Sequence, residues 1–281
     1  MIINLRKIKS IFIIILSLIF ILVSVTATSL AHTAPKIKLP ILMYHHMTVG
    51  GEFLGAYCIN VYEFKNDLEY IKKNDYTPIL TADLINYETK GTPLPIKPIM
   101  ITFDDGYEST YTYAYPLLKQ YHMKAIISVI GKYTDDYSAG QDLNPLYAYI
   151  TWKQTKELTD SKIFEVQNHS YDMHQLNGKR YGSGRIFGES ETLYSEALTN
   201  DLAKTQKKII EATGVPPTSF TYPFGKISKE ALPVLKSMGF KAAFTCREKV
   251  NYLSHNKDEL FSLCRYNRPH GTSTWSIFRH F

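Results

Sequence analysis

The segment Ile99–Tyr107 constrains the fold more than any other part of the sequence. It runs from apolar, β-favouring residues directly into two adjacent carboxylates, Asp104 and Asp105, followed by a glycine. A strand that ends in this way delivers both acidic side chains to the rim of a sheet or barrel, where ligands bind. Adjacent carboxylates repel each other, so one is expected to protonate unless a cation lies between them. The segment therefore predicts a metal site or a proton-transfer role; an Asp-Asp-Gly turn after an ordinary strand is the alternative.

The rest of the chain alternates short apolar runs with helical patterns. The strand-like segments are Ile41–Tyr44, Thr77–Leu80, Ile99–Phe103, Ile126–Ile130, Phe164–Gln167, Phe220–Tyr222 and Ala242–Thr245. The helical patterns cover Val61–Lys73, Thr81–Glu88, Ser109–Tyr121, Trp152–Thr159, Glu191–Thr213 and Lys229–Met238. Such alternation predicts parallel strands joined by crossover helices. About seven strands with acidic and histidine residues at their carboxyl ends indicate an α/β fold, a distorted or incomplete (β/α) barrel in a single domain.

A second cluster of chemically active residues follows another strand-like run. His169 and His174 are five residues apart, and on a regular helix they would lie about 140° apart around the axis. On a loop that leaves a strand, the two imidazoles can converge. Two histidines and one carboxylate with open positions commonly hold a divalent catalytic ion, zinc or iron above all. The polar, glycine-rich stretch 178–188 is expected to be a surface loop near these histidines.

The first 31 residues differ from the rest of the chain. Three basic residues within positions 6–9 precede the apolar run Ile11–Val25, and the small-x-small pattern Ser29–Ala31 follows. This is the form of a secretory signal, and the length of the apolar run leaves an uncleaved membrane anchor open. We therefore predict a leader over residues 1–31 and a domain over residues 32–281 that faces the outside of the membrane.

The charge balance does not indicate a nucleic-acid partner. The leader carries three basic and no acidic residues, so the formal net charge of +6 becomes +3 without it. No basic aromatic patch stands out either. We therefore expect no nucleic acid among the partners.

The cysteines do not form a recognisable framework. Cys58, Cys246 and Cys264 have neither the number nor the spacing for a zinc-thiolate site. Cys246 and Cys264 could pair in an oxidising compartment, and three free thiols are equally consistent with the sequence.

Three motifs in order resemble a known family. Thr102–Gly106, His169–His174 and Thr221–Gly225 look like the first three motifs of the polysaccharide deacetylases with a NodB-homology domain. The resemblance covers about residues 38–270, and the order and spacing of the motifs are more specific than any one of them. It implies the same incomplete barrel that the alternation predicts.

Three departures resemble one branch of that family, the poly-N-acetylglucosamine deacetylases of biofilm exopolysaccharide. Thr221 stands where the commoner motif has arginine, the histidine spacing is five instead of four, and no late Leu-x-His motif is visible. In that branch the histidine that acts as the general acid comes from an N-terminal strand, which Pro40–His46 resembles. Leu263–Arg265 resembles the late segment whose arginine can replace the missing one.

The resemblance implies roles for the acidic residues and histidines. Asp105, His169 and His174 would hold the divalent metal, zinc first, with cobalt, iron and nickel open. Asp104 would act as the general base, and Arg265 would hold it ionised by charge pairing.

The resemblance also implies a proton donor and an oxyanion site. His45 would protonate the leaving amine, with His46 as the alternative. The loop that contains Tyr222, Pro223 and Phe224 would contact the substrate and donate a backbone N–H to the oxyanion.

The function implied is a metal-dependent hydrolase that removes N-acetyl groups from an extracellular polysaccharide of the poly-N-acetylglucosamine type. Peptidoglycan, chitin oligomers and O-acetylated xylan are alternative substrates, and a catalytically silent carbohydrate-binding wall protein is the alternative outside enzymes. We expect a secreted or extracytoplasmic monomer, which the N-terminal segment could also attach to the membrane.

Overall fold

The structure is a computed structural model that describes residues 14–20, 36–140, 142–176, 179–254 and 256–281. Two compact units are present, residues 1–37 and residues 38–281. In the first unit, residues 14–20 are helical, and the other residues of the predicted leader 1–31 lie outside the described residues. Within the described residues, no helix combines the length and apolar character that crossing a membrane requires. The boundary between leader and domain stays a prediction.

The second unit is built on a curled parallel sheet. The strands in chain order are β1 (Ile37–Leu39), β2 (Ile41–Tyr44), β3 (His46–Thr48), β4 (Cys58–Asn60), β5 (Thr77–Pro78), β6 (Pro98–Phe103), β7 (Ala125–Val129), β8 (Phe164–Asn168), β9 (Ser219–Thr221), β10 (Ala242–Phe244), β11 (Asn251–Leu253) and β12 (Tyr266–Asn267). Seven of them form the sheet in the order β10-β9-β8-β7-β6-β2-β12, and β5 pairs with the start of β6. All neighbours in this sheet are parallel. The predicted incomplete barrel is confirmed.

Helices connect most of these strands. They are α1 (Val61–Lys73), α2 (Thr81–Lys90), α3 (Tyr115–Tyr121), α4 (Gly131–Ala139), α5 (Trp152–Asp160), α6 (Glu191–Thr213), α7 (Ala231–Ser237) and α8 (Thr274–Phe278). Both α1 and α6 begin and end where the sequence predicts. The start of α1 is defined by a capping box, in which Asn60 accepts the N–H of Tyr62 and Glu63 accepts the N–H of Asn60.

Several elements differ from the sequence prediction; β1, β3, β4, β11 and α8 were not predicted, and three further differences have a local cause. The predicted helix Ser109–Tyr121 is a π-turn, Thr110–Ala114, followed by α3; Pro116 interrupts a regular helix here because it has no N–H to donate. Helix α4 was not predicted, since its Gly, Thr, Asp, Tyr and Ser residues are weak helix formers. Strand β12 has two residues, too few to show a periodic pattern.

Strand β6 divides its side chains between two environments, because successive residues of a strand point to opposite faces. The apolar residues at positions 99, 101 and 103 pack in the main core with apolar residues of α1, α3 and α5. On the other face, Thr102 donates its hydroxyl to the carbonyl of Leu42 (2.7 Å), and the carboxylate of Asp104 pairs with Arg265. The interior of the curled sheet is therefore polar near the end of β6.

The segment 263–268 bridges the two edges of the sheet. Leu263 makes two backbone hydrogen bonds with β10 and the residue after it (3.0 and 2.8 Å), and Arg268 donates its N–H to the carbonyl of Met43 in β2 (3.0 Å). This segment, which contains β12, thus connects the two edges of the curled sheet, and it carries Arg265 into the interior.

A buried charge network attaches α1 and α8 to this closing segment. The Asp67 carboxylate accepts hydrogen bonds from Arg268 Nε (2.7 Å), the Tyr44 hydroxyl (3.0 Å) and the Thr274 hydroxyl (2.6 Å). Burial raises the pKa of Asp67 although the charge of Arg268 opposes the shift. Because a buried ion is costly without its partner, Asp67 depends on Arg268.

We predict that Arg268→Met lowers the free energy of unfolding by about 3–5 kcal/mol, since it leaves the Asp67 carboxylate buried without its cation. Urea denaturation followed by circular dichroism measures the change. Lys236→Met is the control, because its ion pair with Asp258 is on the surface and is expected to contribute less than about 1 kcal/mol. Equal effects of the two substitutions would contradict the prediction.

Candidate active site

The two adjacent carboxylates point to different partners. Asp105 has a positive φ of 69°, a backbone conformation that is uncommon outside glycine. The next residue, Gly106, has φ 82° and donates its N–H to the carbonyl of Asp104 (2.8 Å). A Cβ at position 106 would lie 3.2 Å from the side chain of Val129, so glycine suits both the conformation and the space. This tight turn separates the carboxylates of Asp104 and Asp105.

Asp105 meets the two histidines of the second motif. Its Oδ1 atom lies 3.2 Å from His169 Nε2 and 3.3 Å from His174 Nε2. The candidate ligand atoms of these three residues all lie within 4.8 Å of one another. His169 Nδ1 lies 2.7 Å from the carbonyl of Thr221. That contact orients the ring and leaves Nε2 for a metal, which is the usual arrangement of a metal-binding histidine.

The donor set fits a divalent metal ion. Within the described part of the chain, Asp105 Oδ1 is buried without a hydrogen-bond partner. Burial alone would raise the pKa of Asp105, but the close approach of His169 and the charges of the neighbouring histidines hold that pKa below its usual value. Burial, assisted by His169, lowers the pKa of His174 to about 4. An ionised carboxylate and a neutral imidazole are the forms that bind metals.

Asp104 is held by Arg265 in the interior of the sheet. The guanidinium donates two hydrogen bonds of 2.7 Å to the two carboxylate oxygens. It donates further to the carbonyl of Thr245 (2.9 Å) and the hydroxyl of Thr102 (3.1 Å). Burial alone would raise the pKa of Asp104, but the charge and hydrogen bonds of Arg265 outweigh it and lower that pKa. Asp104 is therefore ionised at neutral pH.

The two histidines after β2 lie in different surroundings. His45 Nε2 is 3.9 Å from Asp104 Oδ2, and its ring contacts Tyr57. Burial lowers the pKa of His45, and the charge of Asp104 opposes that shift. His46 instead places Nδ1 2.9 Å from the hydroxyl of Ser109 and packs its ring against Tyr107. The structure therefore brings His45 next to Asp104.

The third motif reaches the site through Phe224. Its ring centroid lies 4.2 Å from that of His174, and its backbone is left-handed, with φ 56°. The side chain of Tyr222 is instead buried in a second apolar core, built from residues of α6, α7 and β9, and its hydroxyl donates to the carbonyl of Phe261. Pro223 has no N–H. The motif therefore contributes the ring of Phe224 and backbone groups, and the Tyr222 side chain does not reach the site.

Phe224 makes a further aromatic contact that the sequence did not indicate. Tyr181 stacks on Phe224, with centroids 4.8 Å apart and ring planes at 16°. A Cβ at Gly182 would lie 2.5 Å from the carbonyl of Pro223, so the absence of a side chain permits this close approach. Tyr181 belongs to the predicted surface loop 178–188, of which residue 178 lies outside the described residues. The composition of the sequence locates this loop, but it does not indicate that Tyr181 stacks on Phe224.

The three cysteines all lie in described residues, and each is a free thiol. The possible pair between Cys246 and Cys264 is not formed.

Comparison with known proteins identifies the family. The family model for polysaccharide deacetylase matches residues 91–243, which is more than half of the 281 residues. The chain belongs to the polysaccharide deacetylase family. The resemblance read from the three motifs is thereby confirmed.

Curated relatives extend the similarity to the branch indicated by the motifs. The poly-beta-1,6-N-acetyl-D-glucosamine N-deacetylase of Escherichia coli (strain K12) is 26% identical over 199 residues, which cover 64% of this chain and 30% of that protein. The enzyme of that name from Staphylococcus aureus (strain MRSA252) is 27% identical over 195 residues, covering 69% of this chain and 63% of that protein. The alignments thus span less than two thirds of either relative.

Solved structures share the fold of this deacetylase family member. A de-N-acetylase from Aggregatibacter actinomycetemcomitans superposes with a TM-score of 0.73 at 21% sequence identity. The superposition covers 87% of this chain and 100% of that one. At this identity the likeness shows the common fold of the two proteins.

We predict that the protein binds one divalent ion and that His174→Ala weakens this binding. Loss of a ligand should cost more than the roughly 10–100-fold that loss of an outer partner costs. Competition with a chromogenic chelator measures the dissociation constant. His270→Ala is the control, because His270 pairs with Glu63 and not with the cluster. An unchanged constant in His174→Ala would remove His174 from the ligand set.

Proposed function

We propose that this chain is a metal-dependent deacetylase that removes N-acetyl groups from an extracellular polysaccharide of the poly-β-1,6-N-acetylglucosamine type. The observation that carries the proposal is the ionised Asp104 beside the cluster of Asp105, His169 and His174. A pure binding protein has no use for a buried base next to a metal site. The names of the two curated relatives support the choice of polymer.

Asp105, His169 and His174 would hold the ion, and zinc suits this donor set best. When bound, such an ion activates water for attack and polarises the carbonyl of the substrate. The role of Asp104 is to accept the proton of the attacking water at its carboxylate. Arg265 keeps that carboxylate ionised and fixed in orientation, since both oxygens accept from the guanidinium.

The proton for the leaving amine would come from His45. Its Nε2 lies 3.9 Å from Asp104 Oδ2, so the proposed acid lies next to the proposed base. A positioned acid of this kind typically contributes about 10²–10⁴-fold to the rate. The surroundings of His46 support His45 over the alternative, because His46 is engaged with Ser109.

The oxyanion of the tetrahedral intermediate needs a donor, and the backbone of Phe224 can supply it. Tyr222, Gly225 and Lys226 each donate their N–H to a backbone carbonyl. Because Pro223 has none, Phe224 supplies the remaining N–H of residues 222–226. Its contact with the His174 ring places this residue beside the cluster.

The predicted leader supports an extracytoplasmic location. Attachment to the membrane through residues 1–31, and a monomeric state, remain predictions from the sequence.

Acetate release by the purified protein tests the proposed substrate. N-acetylglucosamine oligomers linked β-1,6, peptidoglycan and acetylated xylan are compared, each with chelator and with metal restored. The proposal expects metal-dependent release from the β-1,6 oligomers above the other substrates. Release mainly from xylan would make the protein an O-acetyl esterase, and release mainly from peptidoglycan would change the polymer. Binding of oligomers without release from any substrate would favour a silent binding protein.

We predict that Asp104→Asn lowers acetate release by about 10²–10⁴-fold, because an amide cannot accept the proton. Metal content and oligomer binding should persist. Asp172→Asn is the matched control, since it removes a carboxylate of the same kind near the cluster, from a side chain that accepts a hydrogen bond from Gln175. Unchanged turnover in folded Asp104→Asn would remove Asp104 from the base role.

We predict that His45→Asn reduces kcat by at least about 10²-fold with little change in metal affinity, because His45 would donate a proton without binding the ion. Steady-state kinetics and the chelator competition separate the two effects. His46→Asn is measured in parallel. A larger loss of kcat in His46→Asn, with metal affinity intact, would transfer the acid role to His46.

A further inference from the structure

In the loop between the two candidate ligand histidines, side-chain oxygens accept the hydrogen bonds of the backbone N–H groups. The N–H of Ser170 donates to Asn168 Oδ1 (2.8 Å), and the N–H of Met173 donates to the Ser170 hydroxyl (3.2 Å). Between them, the N–H groups of Tyr171 and Asp172 both donate to one carboxylate of α6. All four N–H groups of residues 170–173 therefore have a side-chain oxygen as acceptor. A loop of this kind depends on the side chains that accept its N–H groups.

That carboxylate belongs to Asp201. Its Oδ1 accepts the N–H of Tyr171 at 2.7 Å, and its Oδ2 accepts the N–H of Asp172 at 2.9 Å. Hydrogen bonds to a charged acceptor are stronger than those between neutral groups. Asp201 lies about thirty residues from the loop in the sequence, so it fixes the loop to a long helix.

Further contacts hold the same loop to its neighbours. Asn168 Nδ2 donates to the carbonyl of Leu202 (3.0 Å), the residue after Asp201 on α6. On the opposite side, Gly131 and Lys132 at the start of α4 donate their N–H groups to the carbonyls of Ser170 and Tyr171, each at 3.0 Å.

The backbone of this loop also needs such support. Ser170 has φ 72°, in the left-handed region that is costly for a residue with a Cβ, and it is fully buried. The turn at Ser170 directs the chain from His169 towards His174. Without the Asp201 carboxylate on α6, this loop would lose the hydrogen bonds that fix the position of His174.

We infer that Asp201 is a positioning residue for the metal centre: by accepting the N–H groups of Tyr171 and Asp172, it sets the distance between His169 and His174. This inference rests on the ligand set of the proposed function. Asp201 does not touch the candidate ligand atoms, and it acts through the loop. Its effect should therefore appear in metal affinity and ligand geometry before it appears in the stability of the fold.

The experiment compares the full-length protein with Asp201→Asn and Asp201→Ala. Asn keeps one oxygen acceptor but presents an NH₂ donor to the second N–H, and Ala removes both acceptors. Zinc dissociation constants are measured by chelator competition, and the visible absorption of the cobalt(II)-loaded proteins reports the ligand geometry. Metal affinity should fall by about 10-fold in Asp201→Asn and further in Asp201→Ala, with altered cobalt bands. Glu196→Gln is the matched control, because it removes the same charge from an exposed position of the same helix.

The melting temperature of each metal-free variant separates positioning from folding. If Asp201→Ala does not fold, Asp201→Asn alone decides the question. Folded variants with the zinc affinity and cobalt spectrum of the unmodified protein would overturn the inference and leave the proposed function intact. Failure of the unmodified protein to bind either ion would overturn the metal centre and this inference together. Altered affinity and spectrum in Asp201→Asn but not in Glu196→Gln would support it.

Discussion

The buried ion pair between Asp104 and Arg265 is the interaction on which the rest of the structure depends. Asp104 is 2% exposed and Arg265 is 0% exposed. Removing two charges from water costs several kcal/mol per ion, which the pair recovers only with good geometry and further hydrogen bonds. Two 2.7 Å bonds within the pair and the donations to Thr245 and Thr102 meet that condition. The end of β6 and the segment that closes the sheet are therefore held together by the same pair.

This pair also resolves the repulsion between adjacent carboxylates. Asp104 is neutralised by Arg265, while Asp105 turns towards His169 and His174 through its left-handed backbone. Each carboxylate can stay ionised next to the other because each has its own partners. In the proposed reaction, one of them can then serve as a base while its neighbour binds the ion. A single glycine, Gly106, makes the turn that separates them possible.

Much of the fold could be predicted from the sequence because its signals are local. Alternation of apolar runs and helical patterns predicted the parallel sheet, and α1 and α6 were predicted at both ends. Strand β12 could not be predicted, since its two residues carry no periodicity and it forms only by pairing with β2. Helix α4 was missed because its polar and glycine residues have little intrinsic helix preference.

The sequence by itself determined the residue types of the candidate site and the ends of the strands that carry them. Motif order was sufficient to suggest Asp104, Asp105, His169 and His174, since the carboxyl ends of parallel strands meet at one edge. Only the tertiary structure decided which of His45 and His46 lies near Asp104, that the Tyr222 side chain enters the core, and that Asp201 holds the histidine loop. These outcomes depend on contacts between residues far apart in the chain, such as the pairs 45–104, 222–261 and 171–201. Local spacing carries no information about such contacts, because they exist only once the sheet has closed.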